Sequence, residues 1–223
     1  MLKIREMFNQ IHKRYDMLNH LMSGGRDIAW RKACCKKLPQ KKEAVVLDLC
    51  GGTGDFLLSY LKKAKNCKLA IIGDFAEKML GVAAEKSSDL IPVQMDATQI
   101  PLANGSVDIV LNGFGMRNIQ HLDFALSEVF RVLKNGGYFA TLDFFRPEKK
   151  VAKLFYQRIA PLAIPFVGML FSKHNAYRYL VISILNFINP MDYVAKARNA
   201  GFTLRSVNSL DGGLAHIVIC EKK

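Results

Sequence analysis

Val45-Val46-Leu47-Asp48-Leu49-Cys50-Gly51-Gly52-Thr53-Gly54-Asp55 is answered further along the chain by Ile71-Ile72-Gly73-Asp74. An apolar, β-branched run enters a glycine-rich turn, and a second apolar run ends in an acid. This reads as a strand, a tight loop that opens a helix, and a return strand whose terminal carboxylate reaches a ribose. The glycines let the backbone turn sharply and approach a ligand closely, because they carry no Cβ. Asp74 matters because one carboxylate accepts hydrogen bonds from two ribose hydroxyls. The competing reading is a plain strand-to-helix turn with glycines for geometry alone, and the spacing of Asp48, loop and Asp74 argues against it. The stretch therefore points to a nucleoside ligand.

A dinucleotide loop would read G-x-G-x-x-G, its third glycine allowing close helix packing. Gly52 and Gly54 match the first two positions, but Leu57 stands at the third. No G-x-x-x-x-G-K-[ST] phosphate loop is present, and Asp55 at the helix start would repel phosphate. An acid there suits a cationic ligand without phosphate, a description that fits the sulfonium of S-adenosylmethionine (SAM).

Outward from this unit the chain alternates. Strands are expected at 44–49, 68–74, 90–94, 107–112 and 138–144, with helices at 55–65, 76–86 and 122–133 between them. Lys134-Asn135-Gly136-Gly137 reads as a turn. Repeating β-α-β units imply an α/β fold with a mostly parallel sheet, helices on both faces and the ligand beyond the carboxyl ends of the central strands. Cys50–Asp55, Asp74, Asp96 and Asn112–Asn118 all fall at such ends. Upstream, Phe8, Ile11, Tyr15, Leu18 and Leu21/Met22 recur at helical spacing, so one helix is expected, broken at Ser23-Gly24-Gly25. Asp27 is expected to cap a second helix through Trp30-Arg31, ended by Pro39. Residues 147–189 interrupt the alternation. The strongly apolar run 154–171 falls short of a membrane span, and it reads as an insertion over the site or on a membrane surface, or as a buried helical hairpin. A helix at 190–200, closed by Gly201, then leads to strands 202–210 and 216–220. The short Asp211-Gly212-Gly213 turn makes those strands an antiparallel hairpin.

Half the 223 residues are hydrophobic, which excludes disorder and suits one domain. The five cysteines show no metal spacing and no C-x-x-C pair, and the opening residues show no signal-peptide pattern, so a reduced, cytoplasmic setting is expected. The formal charge of +13 favours nucleic acid, an anionic membrane surface or solubility. The basic residues are spread, and no RNA-binding module is recognisable, so no nucleic-acid partner is expected. The five histidines show no ligand spacing, so no metal is expected either; His216 leaves a substrate contact open.

The element order resembles a class I SAM-dependent methyltransferase, a Rossmann-like seven-stranded sheet with a C-terminal antiparallel hairpin. Phe8-Asn9-Gln10-Ile11, Arg14-Tyr15-Asp16-Met17-Leu18-Asn19 and Trp30-Arg31 resemble the amino-terminal signature of the UbiE/MenG/Coq5 quinone C-methyltransferases. Leu47–Asp55 resembles their SAM loop, and Gly113-Phe114-Gly115-Met116-Arg117-Asn118 their F-G-x-R-N signature. Tyr177-Arg178-Tyr179-Leu180 is similar to their S-Y-R-Y-L segment, with Ala176 in place of the serine. Members often have Asn-Ala where this chain has Asp96-Ala97, and either side chain accepts from an adenine amino group.

The resemblance implies one methyltransferase domain: a helical cap (1–43), a SAM-binding core (44–146), an apolar insertion over the substrate site (147–189) and a C-terminal helix with a strand hairpin (190–223). It implies carbon methylation of a prenylated quinol in menaquinone or ubiquinone synthesis, with SAM as cofactor. Asp48, Gly51, Gly52, Thr53, Asp74, Asp96, Ala97 and Gly113 would bind the cofactor, Thr53 through the methionine carboxylate. Arg117 would stabilise the phenolate or orient a water that carries the proton, with Asn118 and Tyr15 in the same relay. Bland alternatives are a salt-bridged Arg117 and a core-facing Tyr15. Peripheral contact with a membrane through 154–171 and a homodimer are further expectations. Rival readings are a methyltransferase for another lipophilic or small acceptor, and a basic RNA- or membrane-binding module on the same fold.

Overall fold

The computed structural model describes residues 2–64, 66–148, 153, 154, 156, 158 and 174–223. Most of the apolar run 154–171 therefore lies outside the described residues, as do the side chains of Tyr177 and Arg178. Three helices come first: α1 (Leu2–Ile11), α2 (Tyr15–Ser23) and α3 (Arg26–Lys37). The sheet then builds as β1 (Ala44–Leu49), α4 (Asp55–Leu61), β2 (Cys67–Asp74), α5 (Glu77–Lys86), β3 (Leu90–Gln94) and β4 (Val107–Gly113). It continues as α6 (Leu122–Val132), β5 (Leu133–Asp143), α7 (His174–Asn186), α8 (Pro190–Asn199), β6 (Thr203–Leu210) and β7 (Ala215–Glu221).

The seven strands lie in the order β3-β2-β1-β4-β5-β7-β6. Pairs from β3 to β5 are parallel, and β7 runs antiparallel between β5 and β6. Side chains alternate between faces along each strand. Leu47, Leu49, Ile71, Val110, Phe139 and Val218 pack with α6 and α8 on one face. Val46, Ile72, Ile109, Leu111, Ala140 and Ile217 pack with α3, α4 and α5 on the other. Burial on both faces is why these strands read as nearly unbroken apolar runs.

Three local expectations are corrected. The first helix is two, α1 and α2, joined by a 3-10 turn at His12–Arg14. Helical spacing persists across the joint, so periodicity alone missed it. Asp27 does not cap α3: Gly25 holds that place in a left-handed conformation. The Asp27 carboxylate, 2% exposed, instead takes Ser23 Oγ, His20 Nδ1 and Arg31 Nη1. Lys134–Gly137 is not a turn but the start of β5. Gly136 adopts φ +72°, and the segment pairs with the far end of the chain through Gly136 N–Lys222 O and Lys222 N–Gly137 O.

Candidate active site

The carboxyl ends of β1, β2 and β4 open onto a cleft of about 150 Å³, walled by Gly52, Asp74, Asp96, Ala97, Gly113 and Tyr15 among others. Helix α1 closes it from above. Phe8 meets Phe75 and Tyr15 edge-on, while Asn9 bonds Glu77 and the amide of Lys78. Within the cleft, Asp74 Oδ2 accepts from Gly52 N at 2.9 Å and Oδ1 from Ala76 N at 2.9 Å. Burial pushes its carboxyl up to about 6, against the pull of those amides. Asp96 is turned by the amide and hydroxyl of Thr98, both 2.8 Å from its Oδ1. Gly113 has no room for a side chain, because a Cβ would lie 2.9 Å from Phe56. Backbone approach at Gly52 and Gly113, with a carboxylate between them, suits the non-phosphate parts of an adenosyl ligand.

Three expected cofactor residues sit elsewhere. Asp48 is fully buried beneath the loop, where Oδ2 accepts from Leu57 N at 3.1 Å and burial lifts its carboxyl to about 7. It shapes the loop from below. At Gly51 a Cβ would lie 2.6 Å from Ile72, and its N–H bonds Gly73 O, so this glycine lets the loop cross β2. The Thr53 hydroxyl donates to Asp16 on α2, which also pairs with Lys86 at 2.6 Å. Thr53 thus ties the loop to the N-terminal helices. Asp16 was not singled out in the sequence, although it lies inside the motif that named Tyr15.

A second cavity, of about 460 Å³, shares the walls Tyr15 and Phe114 with the first. Its other sides are Trp30, Phe144, Tyr156, Leu180, Leu214 and Arg117 among others. The Phe114 and Phe144 rings stack at 4.8 Å, and Trp30 meets Phe144 edge-on at 5.8 Å. The indole is fixed by Nε1 donating to Asp211 at 2.6 Å, a carboxylate that Arg26 also holds. Flat aromatic walls with a few placed polar groups suit an aromatic acceptor.

The residues between the two cavities come from the turn after β4. Asn112 builds that turn: Nδ2 donates to Leu49 O, and Oδ1 accepts from the amides of Gly115 and Met116. Phe114 and Cys50 both take left-handed backbone conformations, at φ +60° and +55°. For residues with a Cβ this costs roughly 1–2 kcal/mol each, and such strain gathers at functional sites. The Arg117 side chain, 6% exposed, donates through Nη1 to Phe114 O and to Asp143 Oδ1 at 2.8 Å. Its guanidinium lies 5.5 Å from the centre of the Phe144 ring, and its Nε is buried without a hydrogen-bond partner. The salt-bridged reading of Arg117 is therefore true, yet among the described residues only Nη1 of the guanidinium makes hydrogen bonds. Asn118 Oδ1 accepts from Tyr179 OH at 2.9 Å. Burial raises the Tyr15 phenol, and its bond to Asn19 and the nearby Arg117 pull it back. Asp143 was missed, although Phe139-Ala140-Thr141-Leu142-Asp143 repeats the apolar-run-then-acid signal that identified Asp74.

Among the described residues one trio of ligand-type side chains, His20, Asp27 and Asp55, gathers within 4.8 Å. Arg31 and Lys86 already pair with its carboxylates. No helix among the described residues is long and apolar enough to cross a membrane.

Comparison with known proteins agrees with this geometry. The model of the ubiE/COQ5 methyltransferase family matches residues 2–222. A Campylobacter jejuni protein named ubiquinone/menaquinone biosynthesis C-methyltransferase is 36% identical over 233 residues, covering 99% of this chain and 97% of that one. Its namesake in Allorhizobium ampelinum is 34% identical over 221 residues, covering 95% and 86%. Among solved structures, a SAM-dependent methyltransferase of Thermotoga maritima superposes with a TM-score of 0.70 at 19% identity, covering 98% of this chain and 99% of that one. That likeness speaks for the fold.

Proposed function

The chain belongs to the ubiE/COQ5 methyltransferase family, and from that premise we propose that it methylates a ring carbon of a prenylated quinol. The observation that carries the acceptor class is the aromatic second cavity, which meets the cofactor cleft at Tyr15 and Phe114. The cleft residues fit SAM: Asp74 for the ribose hydroxyls, Asp96 and Ala97 for the adenine, Gly52 and Gly113 for close backbone approach. When bound, SAM supplies an electrophilic methyl group on a sulfonium.

Carbon methylation needs an electron-rich ring, so the acceptor is a reduced quinol with a hydroxyl at least partly ionised. Arg117 stays protonated and does not act as a base. Its guanidinium, which lines the second cavity, stabilises charge on the ring oxygen. Phe114, Phe144 and Trp30 hold the ring in plane, and alignment of ring carbon with methyl supplies much of the rate. After transfer the ring carbon loses its proton, and Tyr15 and Asn118 face that region to order a water that removes it. The basic surface and an apolar insertion favour peripheral contact with an anionic membrane, where such acceptors dissolve. Flotation with anionic liposomes checks this, since a protein that stays at the bottom has no such contact.

The primary test is transfer of a labelled SAM methyl to demethylated naphthoquinol and benzoquinol, side by side under strong reductant. Label in either organic product supports the quinol reading, and the ratio assigns the ring. Intact SAM binding with no label in either product refutes it.

A further inference from the structure

Asp143 ends β5 and is fully buried, yet it lines neither of the two cavities that meet at Tyr15. Its carboxylate holds Arg117 at two places. Oδ2 accepts from the Arg117 backbone N–H at 3.2 Å, and Oδ1 accepts from Nη1 at 2.8 Å. One side chain thus fixes both the root and the tip of a long, rotatable arm. Phe144 N also donates to Oδ1 at 2.8 Å, so the carboxylate itself cannot swing. Among the described residues Nη1 makes both of the guanidinium's hydrogen bonds, and the same group lines the second cavity. A buried ion pair adds little net stability over apolar residues of the same size. Stability alone is therefore a poor reason for a carboxylate at the end of so apolar a strand.

We propose that Asp143 is a positioning residue for methyl transfer, holding the Arg117 guanidinium, which lines the second cavity, toward the oxygen of the acceptor ring. This rests on the quinol reading above. Asp143 touches neither cofactor nor acceptor and acts only through Arg117. A guanidinium without that anchor samples several rotamers and loses the fixed fork that makes arginine useful at such a site.

The test is a mutant cycle on the full chain: wild type, Asp143→Asn, Arg117→Met, and the two together. For each, kcat and KM are measured with the quinol that wild type accepts, and SAM affinity by calorimetry. Asp143→Asn is expected to lower kcat about a hundredfold, the scale of losing one oriented donor, with SAM affinity unchanged. On the Arg117→Met background the same substitution should leave kcat unchanged, because the group it positions is gone. If Asp143→Asn alone proves too unstable to assay, Asp143→Glu takes its place in the cycle, since it keeps the arginine charge paired while shifting the guanidinium, and the same drop in kcat on the Arg117 background only is expected. Equal losses on both backgrounds, or a single variant with wild-type kcat, overturn the proposal. A wild type that transfers to neither quinol overturns the acceptor reading, and this inference with it.

Discussion

In the cofactor cleft the carboxylates are held by backbone amides: Asp74 by those of Gly52 and Ala76, Asp96 by that of Thr98. Around the second cavity polar contacts join side chain to side chain, Trp30 and Arg26 to Asp211, Arg117 to Asp143. The first half is shaped by turns that glycine permits and by strand ends that share one sheet register. The second is assembled from two N-terminal helices, two strand ends, α7 and the β6–β7 turn. Binding in the two halves should therefore fail separately.

The largest effect expected is that of Arg117→Ala, which should lower kcat by about 10²–10³-fold while SAM affinity, read by calorimetry, stays unchanged. Joint loss of both would place Arg117 in the cofactor half and erase the division. Gly51→Ala strikes the other side, since its Cβ would press within 2.6 Å of Ile72. An overpacked site typically costs about 1–3 kcal/mol, so SAM binding should weaken by about 10–100-fold with the acceptor KM unmoved. The cleft also predicts a pH dependence. Ribose hydroxyls donate to Asp74, so its anion is the binding form, and burial holds that carboxyl at about 6. SAM affinity should be level above that pH and fall as pH drops through it, approaching a tenfold loss per unit at the steepest. Asp74→Asn should bind more weakly and flatten the curve. The smallest effect belongs to Trp30→Phe, which keeps an aromatic wall and deletes the 2.6 Å bond to Asp211. A lost hydrogen bond of about 1 kcal/mol should raise the acceptor KM about fivefold and spare SAM affinity.

The same contrast decides what could be read in the sequence. Asp74, Asp96, Gly52 and Gly113, which the structure brings to one cleft, were read from local signals: each sits at the end of an apolar run or in a turn whose chemistry a few neighbours define. Gly51 and Thr53 were read in the loop for the cofactor, while their contacts with Ile72 and Asp16 were not, since only packing reveals those partners. The parallel pairing and the antiparallel hairpin followed from alternation and turn length. Lys134–Gly137 misled because its glycines look like a turn, while its partners lie at the far end of the chain. Nothing near Trp30 announces Asp211, and an aromatic at a helical position has many fates. Asp143, like Asp16, carried a usable signal that went unread.

The Trp30–Asp211 bond also orders events in time. It spans 181 positions, so during synthesis α3 emerges long before the carboxylate that anchors its indole. Contacts of such separation form late. A nascent chain can shape the loop between β1 and β2 while the acceptor wall still lacks its keystone. The growing chain thus carries every residue that walls the methyl-donor cleft before the wall for a recipient is complete.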